Sequence, residues 1–256
     1  MSQEYSNTEM MAIACARRIR NDDIVFCGTG LPMLAAVAAK MTNAPDCVIF
    51  FETGALDPAL LELPLTVADP RVMYNASHIG GLADAFSYMQ NRFTGSSILG
   101  ILSGAQIDIY GNLNSTAIGN YERPTVRLPG SGGACDVATS VGRSFIFMRH
   151  ESRRFVEKLD YLTSPGWLEG GASRKEAGLS EGGPEYVITS LGVLSFENSN
   201  KRMFLDRYYD FTLPIEIQDN TGFDLDISRA KPETPPSKKE LRIIREDVDP
   251  SRLFLE

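Results

Sequence analysis

The stretch Cys47-Val-Ile-Phe-Phe-Glu52-Thr-Gly54 constrains the fold of this chain more than any other part of the sequence. Its unbroken run of apolar, β-favouring residues predicts a strand buried on both faces, as in a parallel sheet. Because a charge is costly inside a sheet, we expect Glu52 at the carboxyl end of this strand, where open α/β sheets place their ligands. Gly54 permits a sharp turn and a close backbone approach. The alternative is that Glu52 only ends the strand and pairs with a nearby cation.

Helices and strands alternate around this stretch. Ser6-Asn-Thr-Glu9 has the form of a capping box and predicts a helix to about Arg20. Ile24-Val-Phe-Cys27 predicts a strand, and Gly28-Thr-Gly-Leu-Pro32 then opens a helix that runs to about Met41. This order indicates an α/β fold with an open, mostly parallel sheet flanked by helices.

The later part of the chain adds shorter elements. The predicted elements are a helix over 82–90, strands over 97–102, 144–148 and 202–209, a β-hairpin over 186–196, and a short helix over 214–220. Residues 168–184 are rich in glycine and charge, which favours a surface loop or mobile flap. Residues 232–236 form a linker, and a second capping box at Ser237 starts an amphipathic C-terminal helix. We predict one domain over residues 1–256, with a C-terminal extension from about residue 232.

Composition excludes several classes of function. The 256 residues are 43% hydrophobic, enough for a full core, and the net charge of −8 leaves no basic stripe for nucleic acid. The four cysteines are scattered without a CxxC pair, which indicates reduced thiols and no metal site. No apolar run approaches the roughly 20 residues that cross a bilayer, and the N-terminus lacks the features of an export signal. We therefore predict a cytoplasmic protein that does not contact membranes.

Four glycine-rich segments carry the remaining chemical signal. Gly28-Thr-Gly30 precedes a helix and could cradle an anion, although the same pattern serves tight strand–helix packing. Gly104-Ala-Gln106-Ile-Asp108 and Gly111-Asn-Leu-Asn114-Ser-Thr116 supply neutral donors and acceptors that can orient an acyl group. Gly130-Ser-Gly132-Gly133-Ala134 can aim consecutive N–H groups at one point, as an oxyanion hole requires. The alternative for each segment is an ordinary turn.

His150 is one of only two histidines and has charged neighbours, Arg149, Glu151, Arg153 and Arg154. A histidine in such a setting serves either as a structural hydrogen-bonding group or in catalysis.

The remaining residue types favour acyl chemistry by a carboxylate. The sequence has no GxSxG elbow, no Cys–His pair in a recognisable context, no P-loop and no metal constellation. An ionised Glu52 that attacks a thioester would form a mixed anhydride and expel a thiolate. If the thiolate then attacks the glutamyl carbonyl, the product is a glutamyl thioester, from which coenzyme A can pass to another acid. Gly132 and Gly133 could donate their N–H groups to the oxyanion formed on the way.

The chain resembles the B (β) subunit of class I CoA-transferases, and within that family glutaconate CoA-transferase. The resemblance lies in an ordered set of five segments: Gly28-Thr-Gly-Leu-Pro32, Glu52-Thr-Gly54, Gly104-Ala-Gln-Ile-Asp108, Gly111-Asn-Leu-Asn-Ser-Thr116 and Gly130-Ser-Gly-Gly-Ala134. Further matching blocks lie later in the chain: Arg149-His-Glu-Ser-Arg-Arg-Phe155, Thr163-Ser-Pro-Gly-Trp167 and Asn220-Thr-Gly-Phe-Asp-Leu-Asp226. Together the blocks cover nearly the whole chain, which makes the resemblance specific.

The resemblance implies roles for particular residues. Glu52 falls on the position of the family's glutamate nucleophile, and Gly132, Gly133 and Asn114 fall on segments that line the thioester site. The family commonly has Ser-Gly after the glutamate, whereas this chain has Thr53, which keeps a small hydroxyl. Three further residues are candidates for contact with substrate or coenzyme A: Gly28, Gly30 and Gln106.

The resemblance also implies partners. Coenzyme A is a substrate and no separate cofactor is expected; the ligands are an acyl-CoA and a carboxylic acid, with a glutaconate-like dicarboxylate as one candidate. Chains of the B (β) type work with a separate A (α) subunit that supplies much of the coenzyme A pocket, so a hetero-oligomer is expected.

Two other functions stay open. Related B (β) subunits hydrolyse, decarboxylate or open rings of CoA thioesters, and Glu52 could act there as a general base for water. A non-catalytic sugar-phosphate-sensing or structural subunit is the other alternative, which the intact Glu52 and the glycine turn at 130–134 disfavour.

Overall fold

A computed structural model describes residues 4–255 of the chain. The described chain divides into two compact units: the first comprises the chain up to Ile101 and its return from Thr234 onwards, and the second spans Leu102–Glu233. A single folding domain stays a prediction.

Alternating helices and strands occupy the chain up to residue 102, where the second unit begins. They are α1 (Asn7–Ala16), β1 (Ile24–Phe26), α2 (Leu31–Met41), β2 (Val48–Phe50), β3 (Ala55–Leu56), a 3₁₀ turn (Pro70–Met73), β4 (His78–Ile79), α3 (Leu82–Gln90), α4 (Arg92–Gly95) and β5 (Ile98–Leu102). Strand β1 pairs in parallel with both β2 and β5, while β2–β3 and β3–β4 are antiparallel. The apolar run before Glu52 is buried as expected, since Ile49, Phe50 and Phe51 expose 2% or less of their surface.

The second unit combines small hairpins with a mixed sheet. Its elements are β6 (Gln106–Ile107), β7 (Leu113–Asn114), β8 (Ala117–Ile118), β9 (Val126–Arg127), α5 (Ala134–Ser140), β10 (Arg143–Met148), α6 (Ser173–Glu176), β11 (Gly183–Thr189), β12 (Gly192–Phe196), β13 (Met203–Tyr208), α7 (Pro214–Asp219) and β14 (Lys231–Pro232). Strands β10 and β11 are parallel, β11–β12–β13 form an antiparallel meander, and β14 joins β13 in parallel. The hairpins β6–β7 and β8–β9 are antiparallel.

The C-terminal segment returns to the first unit. Helix α8 (Lys238–Arg242) starts at a capping box formed by Ser237 and Glu240 and continues as a π-helical turn over Ile243–Val248. That turn packs on α2. Arg17, which follows α1, donates to the Glu240 carboxylate at 2.7 and 2.8 Å. Through these contacts the C-terminal extension covers part of the helical layer.

The α/β prediction is confirmed, with parallel strands flanked by helices and antiparallel strands added in each unit. The capping box of α1, the start of α2 near Pro32 and the hairpin that turns at Leu191 are confirmed as well. The prediction of a surface loop or mobile flap over 168–184 omitted a short helix. This segment contains α6, and Arg174 on that helix is buried at 3% exposure and hydrogen-bonded to backbone carbonyls. The segment is therefore anchored to the second unit.

Within residues 4–255 no helix is both long enough and apolar enough to span a bilayer. In the same part of the chain, no group of three or more His, Cys, Asp or Glu side chains is arranged to hold a metal ion.

The ion pair between Glu9 and Arg245 yields a stability prediction. Glu9 is 2% exposed, and Arg245 donates to both of its carboxylate oxygens at 2.5 and 2.8 Å. Arg245→Gln leaves a buried carboxylate without its cation, so we expect the free energy of unfolding to fall by about 3 kcal/mol. Urea denaturation measures this change.

Arg242→Gln is the matched control, because this side chain on the same segment is 58% exposed and lies 3.8 Å from Asp247. It should change the free energy of unfolding by less than about 0.5 kcal/mol. Equal effects of the two substitutions would contradict a special role for the buried pair.

Candidate active site

Glu52 lies at the tip of a tight turn between two antiparallel strands. The Gly54 N–H donates to the Phe51 carbonyl at 2.9 Å, and the Phe51 N–H donates to the Ala55 carbonyl at 3.0 Å. Glu52 and Thr53 are therefore the two central residues of a β-turn that joins β2 to β3. Since Phe51 is fully buried and Glu52 is half-buried, the chain leaves the core at this residue. The predicted position of Glu52 directly after the buried strand is confirmed.

A close backbone contact fixes this turn. Gly54 has φ of +91°, and a Cβ there would lie 2.5 Å from the Gly80 carbonyl carbon. The Gly80 N–H also donates to the Gly54 carbonyl at 2.9 Å. Only glycine allows this conformation together with this approach, so the turn that carries Glu52 is held against the β4 strand.

The Glu52 carboxylate has no hydrogen bond or ion pair within residues 4–255. The cation of Lys40, in the same unit, pairs with Asp57 at 2.6 Å instead. The alternative in which Glu52 pairs with a nearby cation is therefore not realised in the described chain. The neighbouring Thr53 hydroxyl is also without a partner there, and its oxygen is buried.

Gly28 follows β1 at the same sheet edge where Glu52 follows β2. The parallel register pairs Phe26 with Phe50, which places Gly28 and Glu52 two residues beyond one matched pair. Gly30 is the N-cap of α2 with φ of +92°, and a Cβ at Gly28 would meet no atom within 4 Å. The backbone of this turn is therefore open to a ligand beside Glu52, as the sequence pattern suggested; the contact itself stays a prediction.

Gln106 and Asn114 lie opposite each other in the β6–β7 hairpin of the second unit. Asn114 is fully buried, and its amide donates to the Gln106 side-chain oxygen and to the Ala117 carbonyl, both at 2.7 Å. Gln106 in turn donates to Asp160 at 2.8 Å. Both N–H groups of Asn114 are thus already used to shape the loop. A contact between Asn114 and a thioester would require one of these bonds to break, and the predicted contact stays a prediction.

The turn at 130–133 offers two adjacent N–H groups. Ser131 accepts hydrogen bonds from Ala134 and Cys135, which follow the turn, at 2.9 and 3.0 Å. Within the described residues, by contrast, the N–H groups of Gly132 and Gly133 donate to no acceptor. Gly132 is exposed, with φ of +50° and no atom within 4 Å of a Cβ position. These free donors have the chemistry expected of an oxyanion hole.

Asn112 is a buried residue of the segment 111–116 to which the sequence analysis gave no role of its own. Its side-chain oxygen accepts from the N–H groups of Gly166 and Leu168 at 2.7 and 3.1 Å. Its amide donates to the Leu168 carbonyl and to the Asp108 carboxylate, both at 2.8 Å. Burial raises the pKa of Asp108, although the hydrogen bonds from Asn112 oppose that change. Asn112 thereby ties the loop of Asp108 to a segment more than 50 residues away.

Arg174 is the second residue that the sequence analysis missed. The guanidinium donates to the carbonyls of Pro165, Gly166, Ala138 and Ser180 at 2.6 to 3.2 Å. Burial lowers its pKa to about 10. Because Ala138 belongs to α5, which follows the glycine turn at 130–133, Arg174 helps to hold the helix behind that turn. The only signal in the sequence was one arginine among many charged residues.

His150 is a structural residue. It is 5% exposed, its ring nitrogens lie 3.1 Å from Thr189 Oγ1 and 2.9 Å from Thr221 Oγ1, and its ring stacks on Phe155. Burial lowers its pKa to about 3. A neutral ring enclosed in this way is not accessible to a substrate. The structural alternative for His150 is therefore the one that the described chain realises.

Comparison with known proteins gives a consistent result. The sequence profile of the family described as "Coenzyme A transferase" matches residues 8–220. The B (β) subunit of glutaconate CoA-transferase from Acidaminococcus fermentans is 41% identical over 98% of this chain and 96% of its own length. The crystal structure of that transferase superposes with a TM-score of 0.96 over 99% of this chain and 98% of the compared chain.

Two further relatives differ in their activities. The B (β) subunit of 3-oxoadipate CoA-transferase from Pseudomonas knackmussii is 36% identical over 94% of this chain and 92% of its own length. The cholesterol ring-cleaving hydrolase IpdB subunit of Rhodococcus jostii is 25% identical over 98% of this chain and 95% of its own length. The resemblance deduced from the sequence motifs is confirmed by the family match and by the relatives above 30% identity.

The close approach at Gly54 predicts a strong effect of adding one methyl group. Gly54→Ala places a Cβ against the Gly80 backbone at a positive φ, so we expect the free energy of unfolding to fall by at least about 2 kcal/mol. Gly81→Ala is the control, because its φ is −108° and its Cβ would lie 3.7 Å from the nearest atom. The control substitution should lower the free energy of unfolding by less than about 1 kcal/mol. Chemical denaturation of both variants tests this, and a stable Gly54→Ala variant would contradict the close packing of the turn.

The lowered pKa of His150 predicts a pH dependence of stability. Below the ordinary pKa of 6.5 the unfolded chain binds a proton that the folded chain excludes until about pH 3, so acid favours unfolding over that range. Below its ordinary pKa, His150 should make the free energy of unfolding fall by about 1.4 kcal/mol for each pH unit of acidification. We expect the free energy of unfolding of His150→Gln, measured by denaturation at several pH values, to lack this contribution to the pH dependence. If the free energy of unfolding has the same pH dependence in His150→Gln as in the wild type, the assignment is refuted.

Proposed function

This chain belongs to the coenzyme A transferase family, and we propose that it moves coenzyme A between an acyl-CoA and a carboxylic acid through a covalent intermediate on Glu52. The relatives above 30% identity are both named as the B (β) chain of a CoA-transferase. We therefore infer that the chain works with a separate A (α) subunit in a hetero-oligomer. The same two names support a dicarboxylic acid related to glutaconate or 3-oxoadipate as a substrate.

The unpaired Glu52 carboxylate carries this proposal. Carboxylates are ionised at neutral pH, so attack on a thioester carbonyl needs no general base. The attack forms a bond from the Glu52 oxygen to the acyl carbon and breaks the C–S bond, which gives a mixed anhydride and the coenzyme A thiolate. The thiolate then attacks the Glu52 carbonyl and releases the first acid as a carboxylate. The glutamyl thioester that remains passes coenzyme A to the second acid by the reverse steps.

The fixed turn suits a nucleophile. The contact of Gly54 with Gly80 restrains the backbone on which Glu52 is carried, and rigid placement of a reacting group accounts for a large part of many enzymatic rate accelerations. Within residues 4–255 the Glu52 carboxylate also makes no hydrogen bond that it would have to give up before it attacks. In the second unit, we propose that the N–H groups of Gly132 and Gly133, which are free within the described residues, serve as an oxyanion hole.

A hydrolytic reaction is the second candidate. The relative from Rhodococcus jostii is named as a hydrolase, and the half-buried Glu52 is open to water. In that case Glu52 would act as a general base that takes a proton from water. The two candidates differ in one observable, because only transfer requires a covalent bond to Glu52.

Substitution of Glu52 tests the transferase proposal. With the A (α) subunit co-expressed, acetyl-CoA as donor, and glutaconate or 3-oxoadipate as acceptor, Glu52→Gln should lower kcat by on the order of 10⁴-fold or more. Glu52→Asp should lose on the order of 10²-fold, because its carboxylate is withdrawn by one bond. Both complexes should assemble as the wild type does on size-exclusion chromatography, since the side chain lies outside the core.

Glu62→Gln is the matched control, because this exposed carboxylate of the same unit forms a surface ion pair with Arg71. It should transfer coenzyme A at the wild-type rate. A Glu52→Gln complex with the wild-type transfer rate would refute the nucleophile role.

A further inference from the structure

The hydroxyl of Thr53 is a buried polar group without a partner. Its oxygen is shielded from solvent and makes no hydrogen bond within residues 4–255, although the residue as a whole is half-buried. Native structures satisfy nearly all such groups, and an exception calls for a specific explanation, such as a role in catalysis. The position of this exception is notable, because Thr53 directly follows Glu52 in the turn.

Several backbone groups around Thr53 already bond to one another. A threonine in a turn commonly bonds to backbone groups one or two residues away. Here the Phe51 carbonyl accepts from the Gly54 N–H, and the Gly54 carbonyl accepts from the Gly80 N–H. The Phe51 N–H is likewise committed to the Ala55 carbonyl. Within the described residues, Thr53 Oγ1 takes part in none of these bonds.

We propose that the Thr53 hydroxyl is a further catalytic group, which donates a hydrogen bond to the Glu52 side-chain oxygen that becomes negatively charged during transfer; this rests on the proposed function. When the coenzyme A sulfur bonds to the Glu52 carbonyl carbon, the π electrons of the carbonyl move to its oxygen. Collapse re-forms the carbonyl and breaks the bond to the anhydride oxygen, which leaves with the acid as a carboxylate. Thr53 keeps its proton throughout.

The side chain can reach this role by a small movement. Threonine occupies staggered χ1 positions, and a rotation of about 120° moves the hydroxyl into the place of another substituent on Cβ. Oγ1 is covered while the residue as a whole is half-buried, and the proposal requires that such a rotation turn the hydroxyl toward the Glu52 carboxylate. A donor that is idle in the resting state and used only in the tetrahedral intermediate raises kcat and leaves KM nearly unchanged.

Replacement by valine separates this role from a structural one. Thr53→Val keeps the branched shape and removes a hydroxyl that contributes no hydrogen bond, so the melting temperature should stay the same or rise. Thr189→Val is the contrasting control. The Thr189 hydroxyl donates to the Gly192 carbonyl at 2.8 Å and accepts from two backbone N–H groups. Its loss should lower the melting temperature.

The test uses the complex with the A (α) subunit, acetyl-CoA and glutaconate or 3-oxoadipate. We expect Thr53→Val to lower kcat by about 10- to 100-fold with little change in KM, and Thr53→Ser to stay within about fivefold of the wild type. A Thr53→Val complex with the wild-type kcat would overturn the inference, as would a loss of kcat that is matched by a lower melting temperature.

The same assay separates this inference from the proposed function. A wild-type complex without transfer, or a Glu52→Gln complex as active as the wild type, refutes the transfer mechanism and the Thr53 role with it. Transfer that depends on Glu52 but not on the Thr53 hydroxyl refutes only the Thr53 role.

Discussion

The contact between the Gly54 and Gly80 backbones is the constraint on which the candidate active site depends. It combines a positive φ, a hydrogen bond of 2.9 Å and an approach that excludes any side chain at Gly54. The contact joins β3 to β4 and restrains the turn that presents Glu52 and Thr53. Within residues 4–255, the Glu52 carboxylate and the Thr53 hydroxyl on this turn have no partner. The turn therefore combines a restrained backbone with two side chains that are available to a ligand.

In the second unit, buried polar side chains restrain the backbone. Asn114 joins β7 to β6 and β8 through its amide group, and Asn112 joins the Asp108 loop to the segment at 166–168. Arg174 binds several backbone carbonyls and has no acidic partner within residues 4–255. Such networks are costly if any member is left unsatisfied, so they favour a single arrangement of the loops. Within the described residues, the N–H groups of Gly132 and Gly133 have no acceptor. Two such free donors suit the binding of an anionic oxygen.

Local signals in the sequence predicted much of this structure. The apolar run before Glu52, the capping box at Ser6 and the glycine after Thr53 each report on a few neighbouring residues, and the structure bears them out. The burial of Asn114 and the partners of Arg174 could not be predicted, because they depend on segments that meet only in the folded chain. An asparagine in a glycine-rich loop has the same local signature whether it faces a ligand or supports the loop from inside.

The most direct test of the central claim is mass spectrometry of the intact complex, with its A (α) subunit, after incubation with an acyl-CoA and borohydride. Borohydride reduces a glutamyl thioester to an alcohol, which leaves a small mass loss that can be mapped to a peptide. The account predicts this loss on the peptide that holds Glu52, and only when acyl-CoA is present. Turnover of acyl-CoA without any such modification would contradict the covalent route and place Glu52 in the role of a base for water.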